Sequence, residues 1–268
     1  MSFFRYPGGK KKLKEQIVPK LIRLSKGCSQ YVEPFMGGGS ITVEILKKFS
    51  IFKYWLNDID VGISSLWNSI IFNPAELKKL VISFIPSTEK FYEYKEYFLN
   101  DPLPSVDTGF KKIALHQISY SGLGVKSGGP LGGRNQLSKY TIGCRWSPYY
   151  ICKQIDYFHN LLYPLHKNII ISNLDFEQLF INNPLKSVYY LDPPYYVKGS
   201  ELYQHSFLIE DHERLANLLK KTEHNWLLSY DDCPEIRELY SWAKINSIDV
   251  TYSINTVNIK REVLIERN

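Results

Sequence analysis

The chain has 268 residues, with 33 Lys and Arg against 27 Asp and Glu for a formal net charge of +6, 44% hydrophobic residues and only four cysteines. That length and apolar content suffice for one large α/β domain with an insertion, or for one domain of about 180 residues plus a small one, and they exclude a disulfide-stapled scaffold. Cys28, Cys144, Cys152 and Cys233 form no CxxC pair and no His cluster has metal-ligand spacing; no apolar run reaches the roughly 18 residues of a membrane helix, and no signal-peptide core follows the N-terminus. The expectation is therefore a soluble protein of a reducing cytoplasm, without metal and without membrane attachment.

Leu13, Ile17, Leu21 and Leu24 recur at helical spacing, so residues 10–26 read as an amphipathic helix, bent or begun late at Pro19. Tyr31 and Val32 form a short strand, followed by the loop Glu33-Pro34-Phe35-Met36-Gly37-Gly38-Gly39-Ser40 and a helical run from Ile41 to Phe49. A strand from Tyr54 to Leu56 then ends at Asn57 and Asp58. This is a βαβ unit whose carboxylate lies 21 residues after the first loop glycine. Residues 62–105 read as mainly helical. From Tyr120 to Arg145, seven glycines with Ser121, Ser127 and Ser138 make a loop-rich segment that has room for a hairpin but not for an ordinary helix. Residues 61–160 are thus expected to be an insertion into a domain made of residues 1–60 and 161–268. Strand patterns return at 168–172, 188–191 and 226–229, Leu208, Leu215, Leu218 and Leu219 mark a helix, and 246–266 read as a hairpin pair. Strands alternating with helices imply an open α/β sheet with ligands at the carboxyl ends of its strands.

The charge is unevenly distributed along these elements. Residues 1–26 hold eight basic side chains and one acid, residues 108–155 hold seven basic side chains and no acid, and the remainder stands at −8. Clustering of this kind favours a polyanionic partner, although a solvated helix face explains the first cluster equally well.

Three carboxylates fall at successive strand ends: Glu33, Asp58 and Asp175. The glycine loop is not a P-loop and fails the dinucleotide pattern, whose last glycine position holds Thr42, and Gly9-Lys10 does not complete a P-loop because Phe4 stands where that motif needs glycine. Its backbone N–H groups and lack of Cβ nevertheless suit close approach of a nucleotide-like ligand. Asp58 is placed either to accept from two ribose hydroxyls or to cap the helix that follows. The sharpest feature is Asp192-Pro193-Pro194-Tyr195 after a hydrophobic strand. Its prolines remove two backbone donors and stop the strand, and a carboxylate beside a free carbonyl can accept both hydrogens of one exocyclic amine while Tyr195 stacks on the ring that bears it.

Taken together, Arg5-Tyr6-Pro7-Gly8-Gly9-Lys10, the 33–40 loop, Asn57-Asp58, Asp175-Phe176 and Asp192 to Tyr195 resemble the D12-class, Dam-like DNA adenine-N6 methyltransferases over nearly the whole chain. Similar stretches are Gly128 to Gly133, Gly143-Cys144-Arg145, Asp211-His212-Glu213, Ser229 to Asp232 and Glu262-Val263-Leu264-Ile265. The resemblance implies a Rossmann-like S-adenosylmethionine-dependent methyltransferase fold with an inserted target-recognition domain, helical with loops or a hairpin, at 61–160. It implies S-adenosylmethionine as donor, S-adenosylhomocysteine as product and double-stranded DNA as substrate. By the same likeness Tyr6, Lys10, Glu33, Pro34, Phe35, Gly37, Gly39 and Ser40 line the methionine end of the cofactor, Asp58 its ribose and Asp175 with Phe176 its adenine. Asp192 touches both cofactor and substrate. Gly38 departs from the family's usual Phe-x-Gly-x-Gly by adding a glycine.

In the basic insertion, Lys126, Arg134, Lys139 and Arg145 are candidate phosphate contacts and Asn135 and Gln136 candidate base readers; Trp146 and Tyr120 are weaker stacking candidates. A cytosine-C5 mechanism is excluded, since no cysteine follows a proline. Cytosine-N4 and protein-glutamine methylation resemble Ser-Pro-Pro-Tyr and Asn-Pro-Pro-Tyr variants, and an inactive DNA-binding partner subunit is the alternative from another class. A cognate restriction endonuclease, a bacterial or phage-infected host, and a monomer or weak dimer complete the expectations.

Overall fold

The computed structural model describes residues 10, 13–48, 53–181, 183–197, 199–202, 204–254 and 256–268, without the side chains of 200 and 249–260. In chain order the helices and strands are α1 (Lys14–Leu24), β1 (Gln30–Glu33), α2 (Ser40–Leu46), β2 (Lys53–Asn57), α3 (Val61–Phe72), α4 (Pro74–Ser83), α5 (Thr88–Leu99), α6 (Val106–Ile118), α7 (Pro148–Leu162), β3 (Ile169–Ser172), α8 (Gln178–Ile181), β4 (Ser187–Leu191), α9 (Gly199–Leu202), α10 (Ile209–Lys221), β5 (Asn225–Asp231), α11 (Pro234–Leu239), β6 (Lys244–Ile254) and β7 (Thr256–Glu266). The sheet order is β3-β2-β1-β4-β5-β7-β6, with β1 to β5 parallel and β7 antiparallel to both its neighbours. The strand order reverses between β1 and β4, so the crevice beyond their carboxyl ends is where such a sheet binds ligands.

The period of two along a strand sends alternate side chains to opposite faces. Tyr31, Tyr54, Leu56, Val188, Tyr190, Leu227 and Leu264 pack under α1, α2, α3 and α7, whereas Val32, Tyr189, Leu191, Trp226, Leu228, Tyr230 and Val263 pack under α8, α10 and α11. β4 and the middle of β5, buried on both faces, are mainly apolar, as in parallel sheets generally, whereas the edge strand β3 leaves Ile170 exposed.

α1 begins at Lys14 and runs through Pro19 without breaking. Pro19 lies on the exposed side of the helix, so the Glu15 carbonyl it leaves without a donor is open to water. Two helices outside the stretches read as helical from the sequence, α6 and α7, build the insertion. Ser105 caps α6 by accepting from Thr108 N, and Pro148 opens α7. The insertion has no separate core: Ile63, Leu66, Phe110, Ile113, Ile155 and Phe158 belong to the same apolar cluster as Tyr54 and Tyr190 of the sheet. The glycine-rich segment forms short 3-10 turns at Tyr120–Gly122 and Gly124–Lys126 and a single bridge, Ser119 to Pro130, in place of a hairpin. Among the described residues, no helix is long and apolar enough to cross a membrane.

Candidate active site

The alternation that builds the core also delivers the site. Glu33 follows Tyr31 by two residues, Asp58 follows Leu56 and Asp192 follows Tyr190, so all three carboxylates emerge on one face at the carboxyl edge of β1, β2 and β4.

Glu33 is buried. Tyr31 Oη donates to its Oε2 at 2.6 Å and Thr42 Oγ1 donates to the same oxygen. Burial pushes its pKa up to about 8, against the pull of those two hydroxyls. After it, Met36 O accepts from Gly39 N at 2.8 Å, Trp67 Nε1 donates to Gly37 O at 2.9 Å, and Gly39 enters α2 at φ +64°. A Cβ on Gly39 would lie 2.8 Å from Trp67, so glycine is required there by both conformation and space. Pro34, Gly37 and Gly39 are buried, while Phe35 and Ser40 are half-buried.

Asp58 ties this turn to β2. Its Oδ2 accepts from Gly37 N at 2.8 Å and its Oδ1 from Asp60 N at 2.9 Å, and burial followed by the nearby Asp60 charge raises its pKa to about 7. It is not the helix cap; Asp60 caps α3 through Gly62 N and Ile63 N. Each Asp58 oxygen keeps a second lone pair for a ligand hydroxyl. Asn57, whose sequence signal was only its place beside Asp58, closes the floor, donating to Pro34 O at 3.0 Å and Leu174 O at 2.9 Å while accepting from Ser172 Oγ at 2.7 Å.

Next to this floor a cleft opens between Pro34, Phe35, Ile59, Leu174, Asp175, Phe176 and Phe207. The rings of Phe35, Phe176 and Phe207 stand 5.4–5.8 Å apart, centroid to centroid. Asp175 and Arg214 meet at the rim at 2.8 Å, with the guanidinium 4.4 Å above the Phe176 ring. Aromatic walls with polar groups at one edge suit a heterocycle.

Lys10 is bound into the site from the Asp192 side. It is 2% exposed and sits at the centre of the Asp192 loop: Nζ is 2.9 Å from Asp192 Oδ1, 3.1 Å from Glu262 Oε2 and 3.1 Å from Tyr195 Oη, and 4.7 Å above the Tyr195 ring. Burial disfavours the ammonium, but the Asp192, Tyr195 and Glu262 charges outweigh it and hold the Lys10 pKa well above its ordinary value. Ser229 Oγ on β5 also donates to Asp192 Oδ1, at 2.9 Å. Burial raises the Asp192 pKa and Lys10 draws it back. Pro193 and Pro194 are buried and Tyr195 is half-buried, its hydroxyl donating to Glu262 Oε1 at 3.1 Å. Asp231 holds the next turn, accepting from Tyr196 N at 2.9 Å and Val197 N at 3.0 Å. Glu262 and Asp231 had a sequence signal only in their family-like stretches, Glu262 to Ile265 and Ser229 to Asp232. Tyr6, with the rest of residues 5–9, lies outside the described residues.

In the insertion, Lys126, Arg134, Asn135, Lys139 and Arg145 are all exposed. Gln136 is not placed to read a base: its Nε2 donates to Leu131 O and Gly133 O at 2.8 and 2.6 Å, and its Oε1 accepts from Ile142 N at 2.6 Å, so its amide builds the loop. Trp146 is half-buried and packs against Phe84 and Phe110 at the edge of the core, whereas Tyr120 is exposed. Several of the basic side chains are paired within the protein: Lys112 is buried against Asp60, while Lys111 pairs with Asp107 and Lys20 and Arg23 reach Glu266 from more open positions.

A doubly wound sheet with a glycine turn, strand-end carboxylates and an aromatic cleft at its switch point makes this a Rossmann-like α/β protein with a cleft suited to a nucleotide-like ligand. The family model for D12 class N6 adenine-specific DNA methyltransferases matches residues 6–125 and 150–254, and the chain belongs to that family. It is an adenine-specific DNA methyltransferase, and the family implies S-adenosylmethionine as methyl donor. The residues present suit that cofactor: an apolar aromatic slot for a purine, a carboxylate with spare lone pairs beside it for ribose, and an acidic edge for a cationic sulfonium and amine.

Proposed function

We propose that the chain methylates N6 of an adenine rotated out of duplex DNA, with Asp192 and the Pro193 carbonyl as acceptors for the N6 hydrogens. The observation that carries this reading is that the partners of Asp192 among the described residues, Lys10 and Ser229, both sit on Oδ1. The carboxylate is thereby fixed, and among the described residues Oδ2 is left for a substrate amine.

Adenine N6 is a poor nucleophile because its lone pair is delocalised into the ring. Two acceptors fixed below the amine draw on both hydrogens, localise the lone pair and aim it, which is catalysis by positioning and preorganised electrostatics. Tyr195 offers a ring for stacking. Lys10 covers one side of that ring, so the adenine takes the other. When bound, S-adenosylmethionine supplies a methyl group already activated by its sulfonium. Asp58 would hold its ribose, Phe35 and Phe176 its adenine, and Glu33, Pro34, Gly37, Gly39 and Ser40 its methionine end. Once the carbon–nitrogen bond has formed, the surplus N6 proton leaves through Asp192 Oδ2.

The exposed cations at 126, 134, 139 and 145 would grip phosphates, and Asn135 would reach a base edge. All five fall between the two matched family segments, where a chain-specific recognition surface is expected. A cytoplasmic enzyme working alone or beside a restriction endonuclease, as monomer or weak dimer, fits this reading. Transfer of labelled methyl to duplexes, with 2-aminopurine fluorescence at the target position, tests it. Asp192→Ala should abolish transfer and spare cofactor binding; transfer at near wild-type rate would show that Asp192 is not the acceptor for the N6 hydrogens.

A further inference from the structure

We propose that Glu262 is a positioning residue for methyl transfer, holding the Tyr195 hydroxyl with one carboxylate oxygen and sharing the Lys10 ammonium with Asp192 through the other. This rests on Asp192 being the acceptor for the target amine.

Glu262 reaches the loop because β7 runs antiparallel to β5 with Asp231 opposite Glu262, which brings a β7 side chain to the carboxyl edge of the parallel strands. It lies on the same face as Leu264, the face that carries Tyr190 and Ser229. Its side chain is 4% exposed, and its oxygens divide their work: Oε1 accepts from Tyr195 Oη and Oε2 faces Lys10 Nζ, each at 3.1 Å. Lys10 therefore stands between two carboxylates. With Asp192 as its only anionic partner, the ammonium would draw charge from the carboxylate that must accept from N6 and weaken it as an acceptor. Glu262 divides that demand, and it anchors the phenol so that the Tyr195 ring keeps its angle to the Asp192 carboxylate.

Among the described residues, the titratable groups facing Asp192 are Lys10, Glu262 on β7, Tyr190 on β4, Tyr230 on β5 and Glu33 on β1. Among them Lys10 lowers the Asp192 pKa and Glu262 raises it. Removing the Glu262 charge therefore moves Asp192 protonation to lower pH, while removing a merely structural contact does not.

The test is single-turnover transfer of labelled methyl, as a function of pH, by wild type and by Glu262→Gln, Tyr195→Phe and the double variant, with Asp192→Asn alongside and cofactor affinity measured for each. Glu262→Gln should transfer about 10- to 100-fold more slowly with cofactor Kd within about twofold. Its acid limb should lie at lower pH than that of wild type, and its loss should be less than additive with Tyr195→Phe. An unchanged acid limb, or a rate loss matched by an equal loss of cofactor affinity, would overturn the role of Glu262. An active Asp192→Asn would instead overturn the acceptor reading beneath it. If Glu262→Gln does not fold, Tyr195→Phe carries the test: a wild-type rate from it would refute the anchoring of the ring through the hydroxyl.

Discussion

Replacing Lys112 with methionine tests how the insertion is joined to the site. Lys112 on α6 is 3% exposed and its ammonium bonds Asp60, 7% exposed, two residues beyond Asp58. Its stem packs on Gly62, where a Cβ would lie 2.7 Å from Lys112 Cδ, and methionine keeps much of that volume. What is lost is the ammonium opposite a buried carboxylate whose remaining hydrogen bonds, among the described residues, are those from the Gly62 and Ile63 amides. Breaking such a pair costs about 3–5 kcal/mol, or about 6–20 °C in Tm for a domain of this size. Lys112→Met in an Asp60→Asn background should recover most of that, because the amide carries no charge and still caps α3. Burial pushes the Asp60 pKa up, but Lys112 more than compensates and holds it below the ordinary value. The contribution of the pair is therefore present above the pKa of an unfolded Asp and lost as pH falls through the lower folded value. Urea denaturation at pH 7 and again in acid reads both effects, with the gap between wild type and Lys112→Met narrowing in acid. A Lys112→Met protein within about 1 kcal/mol of wild type at pH 7 would refute the argument.

Glu33, with its pKa raised by burial to about 8, binds its proton more tightly folded than unfolded. Its contribution is fully present below the unfolded pKa and disappears as pH rises through about 8, so Glu33→Gln should flatten the loss of stability between pH 5 and 9, measured by urea midpoints. Gly39→Ala forces a left-handed alanine against Trp67 and should cost at least about 1–2 kcal/mol, with weaker cofactor binding by calorimetry. Arg134→Ala should weaken binding to duplexes of any sequence and reduce the slope of log K against log salt by about 1, read by fluorescence anisotropy.

The sheet was legible because buried parallel strands are short apolar runs bounded by turns, and residues 31–32, 54–56, 188–191 and 226–229 all lie within strands. Asp192 to Tyr195 was legible because two prolines after such a run leave few alternatives. The position of Lys10 was not, since a four-carbon stem lets an ammonium reach several neighbours and only the fold chooses among them. Gln136 looked like a base reader because an amide suits both base edges and loop carbonyls. α6 was obscured because it buries Thr108, Gly109 and Lys112 among its apolar residues, whereas α7 carries a helical signal in Ile151, Ile155, Phe158 and Leu162.

The bonds of Lys10 to Asp192, Tyr195 and Glu262 join three segments remote in sequence. Such contacts carry the largest loop-closure cost and form only after β4, β5 and β7 are side by side. On the proposed reading, a chain that has built its glycine turn and aromatic cleft but not docked β7 would lack the contacts that fix Asp192, so methyl transfer should require the whole sheet and cofactor binding less of it.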